Sequence, residues 1–184
     1  MSCRASPAEN FGSLVKSVFE DAPKYGYKKS GQRIKKIAYG NASIVEFQKS
    51  RDSTRDCIKF TLNLAIVCGE MLKIDGLKYP FGTTLQNAKA VDGHLDLRIG
   101  QIINNRDTWW EINRYTDMVN LKSEIYHVIY QIGVPYIENY LKNEDLLNLW
   151  ISNGFHGLMI GQRDRYIQAL ADIMQNVKLN RLQR

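Results

Sequence analysis

The clearest pattern in the chain is a regular alternation between Ile58 and Ile66, in which large apolar side chains are separated by polar or small ones. The apolar positions of this run are Ile58, Phe60, Leu62, Leu64 and Ile66, and the intervening positions are Lys59, Thr61, Asn63 and Ala65. Successive side chains of a strand point to opposite faces of a sheet, so this period of two predicts a strand with one buried face.

Shorter alternating runs on both sides predict further strands of the same sheet. Residues 32–39 and 43–49 are separated by a Gly-Asn pair, and both residue types tolerate the positive φ of a tight hairpin. A charged turn at 51–55 then leads into the long run, so three consecutive strands form an antiparallel meander. Residues 94–103 predict a fourth strand and residues 108–112 a short fifth, although the order of these strands in the sheet stays open.

Helical patterns precede and follow this block of strands. Ser6 can cap a helix, Pro7 suits its first turn and Glu9 can complete a capping box, which predicts a helix over 7–21. Periodic apolar positions predict further helices: one starting at Thr116 or Asp117 and broken near Gly133 and Pro135, a short one reaching Leu141, one over 146–151 capped by Asn143, and a last one around 166–177 after a loop at 153–157.

The segregation of strands from helices indicates an α+β fold. We expect a single domain over residues 1–184, with an antiparallel sheet of four to five strands. The N-terminal and C-terminal helices pack on one face of this sheet, and residues 143–184 form a helical C-terminal extension of the domain. Residues 69–93 have no sustained period, and a connection of this length is expected to be functional or partly mobile.

Composition narrows the class of protein. The chain has 184 residues, 44% of them hydrophobic, which suits a folded core. Its three cysteines, Cys3, Cys57 and Cys68, do not form a disulfide framework. We find neither an N-terminal signal peptide nor an apolar run long enough to span a membrane, so we expect a cytoplasmic protein without membrane association. The formal net charge of +6 favours acidic partners.

Several short motifs occur together in an order that is similar to a known family. They are Gly26-Tyr27-Lys28-Lys29, Phe47-Gln48-Lys49-Ser50, Phe60-Thr61-Leu62-Asn63-Leu64, Leu97-Arg98-Ile99-Gly100 and Trp109-Trp110. Over residues 11–140 the chain resembles the bacterial domain-of-unknown-function family numbered 4304. The family has no assigned activity, so the resemblance implies no catalytic residues.

The sequence contains none of the common catalytic signatures, including GxGxxG, Walker A, GxSxG, HExxH and CxxC. His94, His127 and His156 lie far apart, and we expect neither a metal nor a cofactor. Cys57 has no nearby histidine to act as its base, which disfavours a nucleophile. These observations favour a protein without catalytic activity, while an enzyme with an unrecognised site near His94 and Arg98 stays an alternative.

A basic surface is the remaining functional signal. The candidate partner-binding residues lie on or beside the predicted strands, and Trp109 lies in an unusual Trp-Trp pair; they are Arg33, Lys35, Lys49, Arg51, Lys59, Arg98 and Trp109. We therefore expect a binding module that holds an acidic protein partner on a basic sheet face, in an immunity-type or accessory role. Binding to the nucleic-acid backbone is the second hypothesis, and the oligomeric state stays open.

Overall fold

The computed structural model describes residues 5–74, 82–152 and 160–182, so the loop predicted at 153–157 lies outside the described residues. The fold is α+β, as the sequence predicts. Its strands are β1 (Lys28–Ser30), β2 (Arg33–Ala38), β3 (Asn41–Lys49), β4 (Cys57–Cys68), β5 (Leu95–Arg98) and β6 (Trp110–Asn113). Its α-helices are α1 (Pro7–Val18), α2 (Gly100–Ile103), α3 (Met118–His127), α4 (Val134–Glu138), α5 (Asn143–Ile151) and α6 (Ile160–Leu182).

All strands belong to one antiparallel sheet, in which β1 to β5 lie in sequence order. The long strand β4 occupies a special place because it has partners on both edges. β3 pairs with its residues 60–68 on one edge. On the other edge β5 pairs with residues 63–66 and β6 with residues 57–60. The edge formed by β5 and β6 is therefore interrupted, and the chain between them leaves the sheet and returns.

The helices cover one face of the sheet, which is the face that the alternation in β4 predicts to be buried. Phe60, Leu62, Leu64 and Ile66 are fully buried there, and Phe11 of α1 packs with its ring centroid 5.3 Å from that of Phe60. We call this side of the sheet the helix face and the opposite side the outer face.

The first helix begins as predicted and ends earlier. The capping box is present: the Ser6 backbone N–H donates to Glu9 Oε2 at 2.7 Å, and the Glu9 N–H donates to Ser6 Oγ at 3.3 Å. The α-helix ends at Val18 rather than at residue 21, and a 3-10 helix continues over Phe19–Tyr25. Pro23 has no N–H for the next α-helical hydrogen bond, which accounts for the change.

Other boundaries also differ from the prediction. β1 lies before the first strand that the sequence predicts, and the fourth strand ends at Arg98 instead of continuing to residue 103. Asn143 does not cap a helix: the N-cap of α5 is Lys142, and Asn143 Oδ1 accepts a hydrogen bond from the buried Asn41 Nδ2 at 2.8 Å. The Asn143 side chain therefore links β3 to the start of α5.

The helical C-terminal part follows the predicted order. Asp117 caps α3, because its Oδ1 accepts hydrogen bonds from the N–H groups of Val119 and Asn120. The expected break near Gly133 is a π-helical segment, Val128–Gly133, that leads directly into α4. Pro135 lies in the first turn of α4, where its missing N–H is tolerated.

The connection after β4 covers half of the outer face. Ala88 and Ala90 from this connection pack against small apolar side chains of β3 and β4, and the buried sheet residues are Ala42, Ile44, Ala65 and Val67. The connection lies so close to the sheet at Gly93 that an added Cβ would lie 2.9 Å from the Cβ of Ala65, which favours glycine at this position. We call this part of the outer face the covered half and the remainder the open half.

Candidate functional site

The open half of the outer face begins where the outward side chains of β4 change from apolar to polar. Ala65 is buried beneath the connection, whereas Asn63 and Lys59 are only half-buried. Asn63 Nδ2 donates a hydrogen bond to Gln48 Oε1 on β3 at 2.8 Å. The open half is therefore a polar surface built on strands that are rigidly paired on both sides.

The interrupted edge of the sheet borders this surface. After β5 the chain forms α2, turns at residues 104–109 and returns as β6. Gly100 permits this path, because a Cβ there would lie 2.6 Å from the Thr108 backbone nitrogen. We call residues 99–109, between β5 and β6, the excursion. Thr61 Oγ1 on β4 donates to the Thr108 carbonyl oxygen at 2.8 Å and fixes the end of this segment. The residue that follows, Trp109, is thereby held beside β4 and β5.

Trp109 lies between two cations on the outer face. The guanidinium carbon of Arg98 lies 5.0 Å from its ring centroid, and Lys59 Nζ lies 5.8 Å away. Arg98 also forms an ion pair with Asp107. We call Lys59, Arg98, Asp107 and Trp109 the Trp109 cluster. A cation within about 6 Å of an indole ring is attracted by the ring quadrupole, so the two basic side chains and the indole stabilise one another.

The electrostatics of Asp107 follow from this arrangement. Partial burial acts to raise the pKa of its carboxyl group, but hydrogen bonds from Arg98 and from Trp109 outweigh that effect and lower the pKa below its ordinary value. Asp107 is therefore ionised at neutral pH and balances one of the two cations. Lys59 has a carboxylate neighbour of its own, because Glu111 of β6 is its direct cross-strand partner.

A groove of about 560 Å³ lies next to the cluster on the open half. Polar and charged residues of β3, β4, β5 and α2 and of the covering connection line it, namely Glu46, Gln48, Lys49, Asn63, Lys89, Asp96, Arg98 and Gln101. Glu46 is already bound within the protein: its Oε1 lies 3.4 Å from Arg33 Nη2, and its Oε2 accepts the Ala90 N–H at 3.0 Å. Arg98 belongs both to the groove and to the Trp109 cluster.

The structure brings together three of the seven residues that the sequence selects, namely Lys59, Arg98 and Trp109. Arg33 and Lys35 also point to the outer face, but they lie on β2, across β3 from the cluster. Lys49 lies on the helix face, with its Nζ 5.3 Å from the ring centroid of Phe11. Arg51 is exposed in the turn between β3 and β4.

The two adjacent tryptophans have different environments. Trp110 is buried in β6 on the helix face, where its Nε1 donates to Glu124 Oε1 at 2.6 Å. Trp109 is half-buried and belongs to the outer face. The alternation of side chains along a strand accounts for this difference.

His94 and Arg98 contact different neighbours. His94 is buried, its Nδ1 accepts the Cys68 backbone N–H at 2.9 Å, and its ring centroid lies 5.4 Å from that of Tyr166 on α6. Arg98, by contrast, contacts Asp107 and Trp109 on the open half. The structure therefore does not bring His94 into the surface that carries Arg98.

Neither described cysteine resembles an activated thiol. Burial raises the pKa of the Cys57 thiol, and the charge of nearby Glu111 raises it further. Burial also raises the pKa of the Cys68 thiol, to about 11. Within the described ranges, no three His, Cys, Asp or Glu side chains come together as ligands for a metal ion. In the same part of the chain, no helix combines the length and apolar character that a membrane crossing requires.

The fold and this surface define an α+β protein with a helix-covered sheet and an open half on which a tryptophan is flanked by two basic side chains. The family model described as "Domain of unknown function (DUF4304)" matches residues 19–139, and the chain belongs to this family. The match spans β1 to β6 and therefore includes the whole Trp109 cluster. Comparison with curated proteins and with solved structures found no match to the chain.

Proposed function

We propose that the protein is a binding module without catalytic activity, which holds an acidic protein partner on the open half of its outer face in the bacterial cytoplasm. The observation that carries this proposal is the half-buried Trp109 between Arg98 and Lys59. Tryptophan and arginine are the residue types most enriched among those that dominate binding energy at protein interfaces. Occlusion of a toxin, or an accessory function on another protein, would use such a surface.

Charge supports an acidic partner. The chain carries a formal net charge of +6, and complementary charge accelerates association and excludes wrong partners. The Arg98 and Asp107 side chains are 38% and 53% exposed, and exposed ion pairs contribute roughly 0–1 kcal/mol. A carboxylate of the partner can therefore replace Asp107 at Arg98 with little loss, while Trp109 remains stacked on the guanidinium.

Position-specific crosslinking tests the proposal. A photoreactive amino acid is introduced at position 109 of the full chain, and in a control chain at position 119, because Val119 is 79% exposed on α3. After irradiation in the host cell, we expect position 109 to capture a protein rich in Asp and Glu that position 119 does not capture. The purified partner should then lose roughly tenfold or more in affinity on Trp109→Ala.

Nucleic-acid binding is the second candidate, because an aromatic ring flanked by cations can also stack a base and hold its phosphate. The same experiment separates the two. Capture of nucleic acid at position 109 favours the second candidate over the first. Identical captured species at both positions, or a partner whose affinity is unchanged by Trp109→Ala, would exclude the Trp109 cluster as the binding surface.

A further inference from the structure

A second cavity lies on the outer face at the opposite edge of the sheet. It has a volume of about 470 Å³ and lies between β1, β2 and residues 86–87 of the covering connection. Four of its lining residues are basic, namely Lys28, Lys29, Arg33 and Lys35, and none of the described residues that line it is acidic. Lys29 contributes no charge to the cavity, because its Nζ donates to the Lys16 carbonyl oxygen of α1 at 3.4 Å on the helix face. We call this cavity the basic pocket, and it shares no lining residue with the Trp109 cluster.

The strand register concentrates positive charge in the basic pocket. Lys28 of β1 is the direct antiparallel partner of Lys35 of β2, and Ser30 is the partner of Arg33. Like charges placed directly opposite each other destabilise a sheet unless an anion lies between them. Lys28 is exposed and forms no ion pair with any residue that the structure describes. The free protein therefore leaves this repulsion uncompensated at Lys28.

Lys35 is held in place by the covering connection rather than by a carboxylate. Its Nζ donates to the carbonyl oxygens of Leu85 at 2.9 Å and Gln86 at 2.8 Å. An ammonium group has three protons, so one donor remains for a ligand. Burial lowers the pKa of Lys35, as does the neighbouring Arg33 charge, while Asp92 and Glu46 act in the opposite direction.

Arg33 also has unused capacity for hydrogen bonding. Its Nη2 lies 3.4 Å from Glu46 Oε1, which is a long ion pair. Its Nε is buried and has no hydrogen-bond partner. Buried donors in native proteins nearly always have partners, so this nitrogen is an unexplained feature of the free protein. The planar guanidinium group suits two phosphate oxygens at once.

We propose that the basic pocket binds a small molecule through a diphosphate or triphosphate group. Arg33 and Lys35 hold the phosphate oxygens, and Lys28 neutralises the outermost charge. The pocket volume is within the range of small-molecule sites, roughly 300–1,000 Å³. Ile37, which is 46% exposed, lines the same pocket and offers an apolar surface to the rest of the ligand.

Calorimetric titration of the full chain with inorganic pyrophosphate tests this proposal. We expect saturable binding that Lys28→Gln weakens at least fivefold and that Lys28→Gln with Lys35→Gln weakens further. The matched control is Lys122→Gln, which removes the same charge from an exposed position on α3 and should change the affinity less than twofold. Trp109→Ala should also leave pyrophosphate affinity unchanged, which separates this proposal from the proposed protein-binding function.

Three outcomes would overturn the proposal. The first is the absence of saturable pyrophosphate binding at low ionic strength. The second is an equal loss of affinity in Lys28→Gln and Lys122→Gln, because the effect would then come from net charge alone. The third is a single-stranded oligonucleotide that binds at least tenfold more tightly than pyrophosphate and is weakened by the same substitutions, which would assign the pocket to a nucleic-acid backbone instead.

Discussion

The covered and open halves of the outer face differ although the same two central strands build both. At the covered half the outward residues of β4 are Ala65 and Val67, which are completely buried. At the open half they are Lys59, Thr61 and Asn63, which are polar. The alternation of side chains is the same in both halves. The chemistry of the outward positions therefore indicates where the covering connection ends.

The difference also predicts how the two halves tolerate substitution. In the covered half, small side chains allow the connection to approach the sheet closely, so volume and polarity are tightly restricted. In the open half, Thr61 is buried and donates to the Thr108 carbonyl oxygen, whereas Lys59 and Asn63 remain partly accessible. Substitutions on the same strand should therefore have very different consequences on the two sides of the boundary between Asn63 and Ala65.

The largest effect is expected from a matched pair of substitutions across that boundary. Ala65→Asp places a carboxylate in a completely buried site, and we expect the free energy of unfolding to fall by about 4 kcal/mol or more. Asn63→Asp places the same group between Arg98 of β5 and Glu46 of β3, so attraction and repulsion oppose each other, and we expect a loss of at most about 1 kcal/mol. Urea denaturation measures both changes.

If Ala65→Asp prevents folding, Ala65→Ser and Asn63→Ser should show the same ranking on a smaller scale. Equal losses for the two members of a pair would show that the connection does not seal the covered half.

An intermediate effect is expected from Gly100→Ala, which tests whether close packing at Gly100 holds Trp109 on the open half. The added Cβ would lie 2.6 Å from both the nitrogen and the Oγ1 of Thr108, so the excursion must move. We expect a loss of about 2 kcal/mol in unfolding free energy, together with a red shift of the Trp109 fluorescence.

The control is Gly12→Ala on α1, where the added Cβ has no neighbour within 4 Å. It should stabilise the protein by roughly 0.5–1 kcal/mol, because alanine favours a helix over glycine. A Gly100→Ala protein with unchanged stability and unchanged fluorescence would contradict the role given to Gly100.

The smallest effect concerns the charge balance of the Trp109 cluster. Arg98→Gln should raise the pKa of Asp107 towards its ordinary value, as measured by NMR titration of the carboxyl carbon. The folded-state pKa is lowered, so the stabilisation from this group is present above its unfolded pKa and is lost as the pH falls through the folded pKa. Lys59→Gln, whose charge acts more weakly on Asp107, should shift the pKa less. An unchanged pKa in Arg98→Gln would contradict the ion pair.

The sequence predicted β4 and the fold class well, because a strict period of two specifies both a strand and its buried face. It did not predict β1, whose three residues include two lysines and no apolar side chain. It also placed Lys49 with the basic face, although Lys49 and Phe47 are two residues apart and therefore share the helix face. The even spacing between Phe47 and Lys49 could therefore have indicated that Lys49 lies on the buried side of the sheet.

The covering connection and the excursion after β5 were beyond sequence reasoning for a different reason. Residues 69–93 have no period, so nothing in them indicated that Ala88 and Ala90 would pack on the sheet. The need for glycine at position 100 depends on Thr108, which approaches only in the folded chain. The order of the Leu97-Arg98-Ile99-Gly100 and Trp109-Trp110 motifs along the chain did not indicate that Arg98 and Trp109 are in contact, as they are in the structure.

The position of β4 between β3 and the pair β5–β6 has a consequence for how the protein opens. Its backbone amides are bonded to neighbours on both edges, whereas β1 has a partner on one edge only among the strands that the structure describes. Exchange of β4 amide hydrogens with solvent deuterium therefore requires most of the sheet to come apart at once. The surface that carries Trp109 is attached to the part of the chain that opens last.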